Sequence, residues 1–392
     1  MERVRLFCKE KGIALEEKGN TAPASYPFKR PHVEGIEFRT DQKRLLRAAL
    51  IKKHGYIVSG TGTGKTLLIL GLISSFPGAR FLCLAHELTL LKQLSKEADK
   101  RGFNSGLYHG QDKNLGLPVI ISTRQTWSRL DPKDYVDKFD GVIIDECHHM
   151  PPRGEYSKIL SNMLAPIRYG VTATAPTETS DPEKFFELNG LLGPFIGEFT
   201  LEEAIEQGVL AKPKLILDMV PEHKAQRDIK GYDRVYKRLV VENDEYNRMI
   251  VDDMVKDKLE GLTSLVFVHE NEHGEILLRL AESKGLHVRF IQGEVKVEDR
   301  IETKDMLDAG ELDSVIANVV WMEGINIRTL GSVINAGGGK TDLRTLQKIG
   351  RGLRTAEGKE VVYLRDYYNP NHNYLVDHFA RRLILYMKKG WV

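Results

Sequence analysis

The sequence predicts an α/β protein of two successive units, each a mostly parallel sheet flanked by helices. Three observations carry this. Short, nearly continuous apolar runs of strand length alternate with longer segments of helical pattern. These runs fall into two series, 55–59, 80–85, 119–122, 141–145 and 169–172, then 214–220, 264–269, 287–292, 314–320, 332–335 and 360–364. A helix-and-stop segment separates the series. Strands apolar on both faces need helices on both faces, which is the arrangement of a parallel sheet. In the separating segment, Thr200 and Glu203 have the spacing of a capping box and Gly208 reads as a helix stop. The expected division is a short extension over 1–35, a first domain over 36–208 and a second over 209–392.

Composition is that of an ordinary globular chain. Of 392 residues, 41% are hydrophobic and 29% charged, and 57 Lys and Arg against 55 Asp and Glu leave a net charge of +2. A uniformly basic nucleic-acid coat is excluded, although a local basic groove is not. The three cysteines, Cys8, Cys83 and Cys147, are far apart and form no CxxC, so neither a zinc ribbon nor a disulfide framework is legible. No run reaches the roughly 18 apolar residues of a membrane span. The charged start lacks the apolar core of a signal peptide, and a cytoplasmic location is expected.

The first strand runs into SGTGTGKT. Gly60, Gly62 and Gly64, with Thr61 and Thr63 between them, allow the backbone to wrap a phosphate. Lys65 would reach the β- and γ-phosphates of ATP, and Thr66 would place its hydroxyl on Mg²⁺ at the start of the next helix. Ser59 stands where the general pattern has Gly or Ala. The segment GVIIDECHH then delivers Asp145 to a strand's C-terminal end, where a carboxylate can hold Mg²⁺. Glu146 is placed to orient and deprotonate an attacking water. His148 and His149 could suggest a metal. Adjacent rings are expected to point in different directions, however, so hydrogen bonding between motifs is the better reading. Arg39 and Gln42 lie one helical turn apart just ahead of the first strand, and an amide can read adenine bidentately.

GTGTGKT, DECHH, VTATAP (171–176) and QKIGRGLR (347–354) occur in the order found in superfamily 2 helicases, which this chain resembles. Within that superfamily it looks most like the branch of UvsW, XPB and the type I and type III restriction translocases. The blocks MEGINIRTL and GGGKTDLRTLQKIGRGLR favour that branch. The resemblance implies two tandem RecA-like domains with the ATP site in the cleft between them. It implies that Arg39 and Gln42 recognise adenine, and that Thr172, Ala173 and Thr174 couple the nucleotide state to domain closure. Glu323 and Gly324 would sense nucleotide across the cleft. Gln347, Arg351 and Arg354 match the arginine-finger motif. Guanidinium groups there would neutralise charge on the transferring phosphoryl group, making hydrolysis conditional on closure. For the nucleic-acid track the resemblance points to His86, Thr123, Arg124 and Gln125 in the first domain and His269 and Asn318 in the second. Relatives usually carry Ser or Thr where Asn318 stands.

Trp127 and Trp321 could stack on bases, or each could pack beneath its own domain. The tail 381–392 carries four basic residues and no acid. It reads equally as an extension of the groove or as an amphipathic terminal helix. The expected function is that of an ATP-dependent DNA helicase or translocase on duplex or branched DNA. It would use ATP and Mg²⁺, contact the backbone without regard to sequence, and work as a monomeric motor with no membrane partner. An RNA helicase, or a nucleic-acid-binding module clamped by ATP, are the alternatives.

Overall fold

The computed structural model describes residues 12, 14, 26–60, 62–85, 88–109, 115–223, 229–292, 297–318, 329–338 and 361–392. The chain divides into two compact units, Met1–Thr200 and Leu201–Val392.

In the first unit α1 (Thr40–Lys52) leads into β1 (His54–Ser59), and α2 (Lys65–Ser74) follows the glycine loop. Then come β2 (Phe81–Ala85), α3 (Leu88–Lys100), β3 (Ser105–Tyr108), β4 (Val119–Thr123), the single turn α4 (Arg124–Trp127) and β5 (Gly141–Asp145). A 3₁₀ turn (Cys147–His149), α5 (Glu155–Ser161), β6 (Ile167–Thr172), α6 (Pro182–Leu191) and β7 (Phe195–Phe199) complete it. The seven strands lie in the order β3-β4-β2-β5-β6-β1-β7, and every recorded pair is parallel.

The sequence accounts for the central elements directly. β2, β4 and β5 are apolar on both faces and buried along almost their whole length. α2 is apolar nearly all round, and Leu68 through Ile73 are buried, which makes it a core helix. Gly71 lets α2 approach α1, since a Cβ there would stand 3.0 Å from Leu46 and Phe38 side-chain atoms. Two strands escape the sequence reading. β3 is only half-buried, and β7 alternates exposed and buried positions, as edge strands do.

The second unit opens with α7 (Leu201–Glu206), which stops at Gly208 with φ +67°. Next come β8 (Lys212–Met219), α8 (Tyr232–Tyr236), a π-helical turn (Lys237–Val241), α9 (Asp244–Leu259), β9 (Thr263–Val268), α10 (Asn271–Ser283), β10 (Val288–Ile291) and α11 (Val297–Asp308). β11 (Ser314–Asn318), β12 (Leu330–Asn335), β13 (Val361–Tyr368) and α12 (Asn373–Lys388) follow. Six parallel strands run in the order β10-β11-β9-β12-β13-β8.

β13 continues to Tyr368, four residues beyond the apolar run that marks it in sequence. Its Arg365 and Asp366 are buried on opposite faces, as strand alternation requires. Arg365 meets Asp257 of α9 at 2.7 Å and Asp253 at 3.5 Å. Asp366 accepts from Arg382 Nε of α12 at 2.7 Å and from Tyr386 Oη at 2.8 Å. Two charges that read as a strand end are thus each satisfied by a different helix.

The same contacts anchor the tail. Residues 373–388 form the amphipathic terminal helix, with Arg382 and Tyr386 turned inward and Trp391 buried just beyond its end. Lys389 Nζ binds Glu202 Oε1 at 2.7 Å. Arg382, 2% exposed, is a core residue and offers nothing to a groove. Among the described residues, no helix is long and apolar enough to cross a membrane.

Candidate nucleotide site

The sheet order of the first unit places β5, β6 and β1 side by side. In register, Asp145 lies opposite Val171 and Val58 opposite Thr172. The ends of the three motif strands are therefore level at the C-terminal edge, where ligands bind in such sheets. Cys147 tucks beneath β6, where Gly170 leaves room for it: a Cβ there would stand 2.8 Å from the Cys147 sulfur.

Four residues meet at this edge. Lys65 Nζ lies 2.9 Å from Glu146 Oε1. Glu146 adopts a left-handed backbone, φ 50° and ψ 50°, a conformation that costs a non-glycine residue about 1–2 kcal/mol. That turn aims its carboxylate back over the glycine loop. The other oxygen lies 3.4 Å from both His148 Nδ1 and the Ala173 N–H. Burial alone would push the Glu146 carboxyl up. The Lys65 ammonium and His148 outweigh burial and hold it well below the usual carboxylate range.

His148 also joins the acidic turn to the third motif. Thr172 donates its hydroxyl proton to Thr174 O at 2.6 Å, so the 2.7 Å contact is His148 Nδ1 donating to Thr172 Oγ1. The motif-linking role expected of His148 holds. The expected divergence of the two histidine rings does not. Their centroids stand 4.0 Å apart at 39°, because a single tight 3₁₀ turn brings adjacent rings together.

The glycine loop has internal bracing. Thr63 Oγ1 donates to Gly60 O at 2.6 Å, and Ser59 Oγ donates to Thr63 Oγ1 at the same distance. Thr63 is buried as a whole residue, so its hydroxyl braces the loop from within. Gly62 and Gly64 hold φ of +89° and +95°, open to glycine at little cost. Thr66 is the second residue of α2, whose first turn has no acidic residue to compete with an anion. Among the described residues no acceptor is recorded for the N–H groups of Lys65 and Thr66. Free helix-end donors, a lysine ammonium and a left-handed glycine fit a triphosphate.

Arg39 and Gln42 reach the same loop. Arg39 forks onto Asp41 at 2.9 and 3.0 Å, and its Nη2 donates to Thr63 O at 2.6 Å. Gln42, 1% exposed, accepts from the Arg39 N–H at 3.2 Å and donates to Thr63 O at 3.4 Å. Both ends of its amide are engaged within the protein here.

The track residues also sit at strand ends. Thr123 ends β4 opposite Ala85 and caps α4, accepting from the Thr126 N–H at 3.1 Å. Arg124 pairs with Glu155 at 2.9 Å and lies over the Tyr156 ring. Gln125 has a buried Oε1 with no recorded partner among the described residues. Asn318 ends β11 opposite Val268, and its amide donates to Asn271 at 3.0 Å. The His269 ring packs on Tyr236. Trp127 is fully buried among Tyr108, Tyr135 and Phe139, so base stacking is excluded and core packing stands. Thr61, His86, Trp321, Glu323, Gly324, Gln347, Arg351 and Arg354 lie outside the described residues.

A lysine on a glycine-rich loop, facing a carboxylate at the neighbouring strand ends, is the arrangement of a P-loop nucleotide-binding protein. The profile of the family "Type III restriction enzyme, res subunit" matches residues 35–177, and that of "Helicase conserved C-terminal domain" matches 247–356. The two matches, in that order along the chain, are those of a superfamily 2 helicase, which the chain resembles. It is 26% identical to the "DNA 3'-5' translocase XPB2" of Sulfurisphaera tokodaii, across 92% of this chain and 87% of the relative. It is 22% identical to the "ATP-dependent DNA helicase uvsW" of Enterobacteria phage T4, across 84% and 68%. It spans about half, 49%, of the Rad25 helicases it also matches. A fragment of an HsdR subunit of a type I restriction enzyme from Vibrio vulnificus shares the fold, with TM-score 0.64 and 19% identity over 93% of this chain and 68% of that one.

Proposed function

We propose that this chain is an ATP-driven DNA helicase or translocase, acting as a monomer on duplex or branched DNA through sequence-independent backbone contacts. The observation that carries the reading is the Lys65–Glu146–His148–Thr172 chain, which ties the phosphate loop, the acidic turn and the coupling motif into one network. The names of the XPB2 and uvsW relatives support DNA as the track.

In this reading Arg39 and Gln42 recognise adenine, and the backbone of 60–64 with the Lys65 ammonium holds the phosphates. Thr66 and Asp145 would hold Mg²⁺, which would supply charge neutralisation on the phosphate oxygens. Glu146 accepts a proton from the attacking water. Once Lys65 turns to the phosphates, Glu146 loses its strongest counter-charge and becomes a better base. Thr172, Ala173 and Thr174 transmit the change through His148. Glu323, Gly324, Gln347, Arg351 and Arg354 act on the same nucleotide from the second domain. His86, Thr123, Arg124, Gln125, His269 and Asn318 contact the strand.

The test is ATP hydrolysis and strand displacement with single strands, duplex, forks, four-way junctions and RNA. DNA should stimulate hydrolysis more than RNA does, and stimulation by no nucleic acid overturns the proposal. Glu146→Gln should still bind ATP while hydrolysis falls on the order of 10²-fold or more. An unchanged rate removes Glu146 from the role of base.

A further inference from the structure

A row of aromatic rings in the second unit has no part in the nucleotide site. It starts at His269, just past the end of β9, whose ring lies 6.2 Å from that of Tyr236. Tyr236 lies 5.9 Å from Tyr232, and Tyr232 meets Tyr374 edge-on at 5.9 Å and 86°. Tyr374 stacks on His372 at 5.0 Å and 26°. The inner end of the row is fixed: Tyr236 is buried and its hydroxyl donates to Gly337 O at 2.7 Å, at the end of β12. The outer end is open, Tyr232 being 36% and Tyr374 45% exposed.

The open rings are rigidly held. Tyr232 is backed by the His378 ring at 5.2 Å, and His372 Nε2 lies 3.1 Å from Ile229 O, which ties the start of α12 to the segment before α8. Lys230 and Arg234 flank Tyr232 and are exposed, and among the described residues neither has an ion-pair partner. Partly exposed rings with Lys230 and Arg234 beside them in the chain, and with Asp233 and Glu270 also acting on the Tyr232 hydroxyl, stand at the sheet edge where strands end, a setting that suits a flexible polyanion carrying flat bases.

We propose that Tyr232 and Tyr374 form a stacking platform for bases of single-stranded DNA, with Lys230 and Arg234 meeting its phosphates. The proposal rests on the reading of the chain as a DNA motor and extends the track outward from His269. Stacking accepts any base, so the platform adds grip without sequence preference.

The experiment measures binding of the full chain to an oligo-dT strand and to an equally long strand of abasic residues, by fluorescence anisotropy. The wild type is compared with Tyr232→Ala/Tyr374→Ala and Tyr232→Phe/Tyr374→Phe. The alanine pair should weaken oligo-dT binding on the order of tenfold or more, leaving the abasic strand unchanged. The phenylalanine pair, which keeps the rings, should bind both strands like the wild type. Equal weakening on both strands means the rings support the fold and not the bases, and overturns the platform. So does unchanged oligo-dT binding by the alanine pair. Failure of the wild type to bind oligo-dT also overturns the platform, whereas the DNA-motor reading falls only if duplex and forked DNA, measured alongside, are not bound either.

Discussion

His148 Nδ1 donates to Thr172 Oγ1 across 2.7 Å, and this contact is where the acidic turn after β5 touches the motif that ends β6. Glu146 lies on the same imidazole nitrogen at 3.4 Å. One ring therefore senses both the proposed base and the proposed coupling element.

If that ring carries the coupling, His148→Ala should spare ATP binding and damage its use. The KM for ATP should stay within about twofold, while the DNA-stimulated kcat falls on the order of tenfold, the cost of about one net hydrogen bond near a charge. Steady-state ATPase measurements with and without DNA check this. A rise in KM with kcat preserved would assign His148 to nucleotide binding instead.

Asp366 is the hub of a buried network in the second unit, holding Arg382 and Tyr386 while Asn335 Nδ2 donates to it at 3.2 Å. Asp366→Ala leaves the Arg382 guanidinium in the core without its counter-charge. The expected loss is about 3–5 kcal/mol, read as a lower midpoint for the second unit in urea unfolding. Arg382→Met with Asp366→Leu removes both charges together and should recover most of that loss.

His273 carries a pH dependence. It is buried, donates to Asn247 Oδ1 at 2.8 Å, and burial with the nearby His269 pushes its pKa down to about 3. The unfolded chain has a histidine pKa of about 6.5. Between those values the unfolded state binds the proton and the folded state does not. The second unit should therefore be fully supported by this residue above about pH 6.5. It should lose up to about 1.4 kcal/mol for each pH unit below that. His273→Gln should flatten this acid limb in urea melts between pH 6.5 and 4, and an unchanged slope would assign it to other groups.

The nucleotide site was legible because its chemistry admits few residue types at fixed spacing. Glycines, a lysine and a DE pair after an apolar strand can be read from one stretch of chain. Ser59 and Thr63 were visible only as a departure and a spacer, because their mutual hydrogen bond depends on the fold of the loop. β3 and β7 were missed because edge strands carry no continuous apolar run. β13 was cut short at Leu364 because Arg365 and Asp366 look like solvent-facing charges. Their partners lie on α9 and α12, and nothing local announces them. Trp127 left two readings open because an indole serves equally in a core or under a base. The ring row from His269 to His372 is assembled from α8, β9 and α12, so no window of sequence contains it.

The alternation of Arg365 and Asp366 also bears on how the second sheet finds its pairing. A one-residue slip exchanges the two faces of a strand, and where both faces are apolar that exchange moves no apolar set into water. A one-residue slip of β13 would present the arginine to α12 and the aspartate to α9, so that like would meet like on both faces. The adjacent pair thus works as a key that fits one alignment, and it makes the mispaired sheet costly where an all-valine strand would tolerate it.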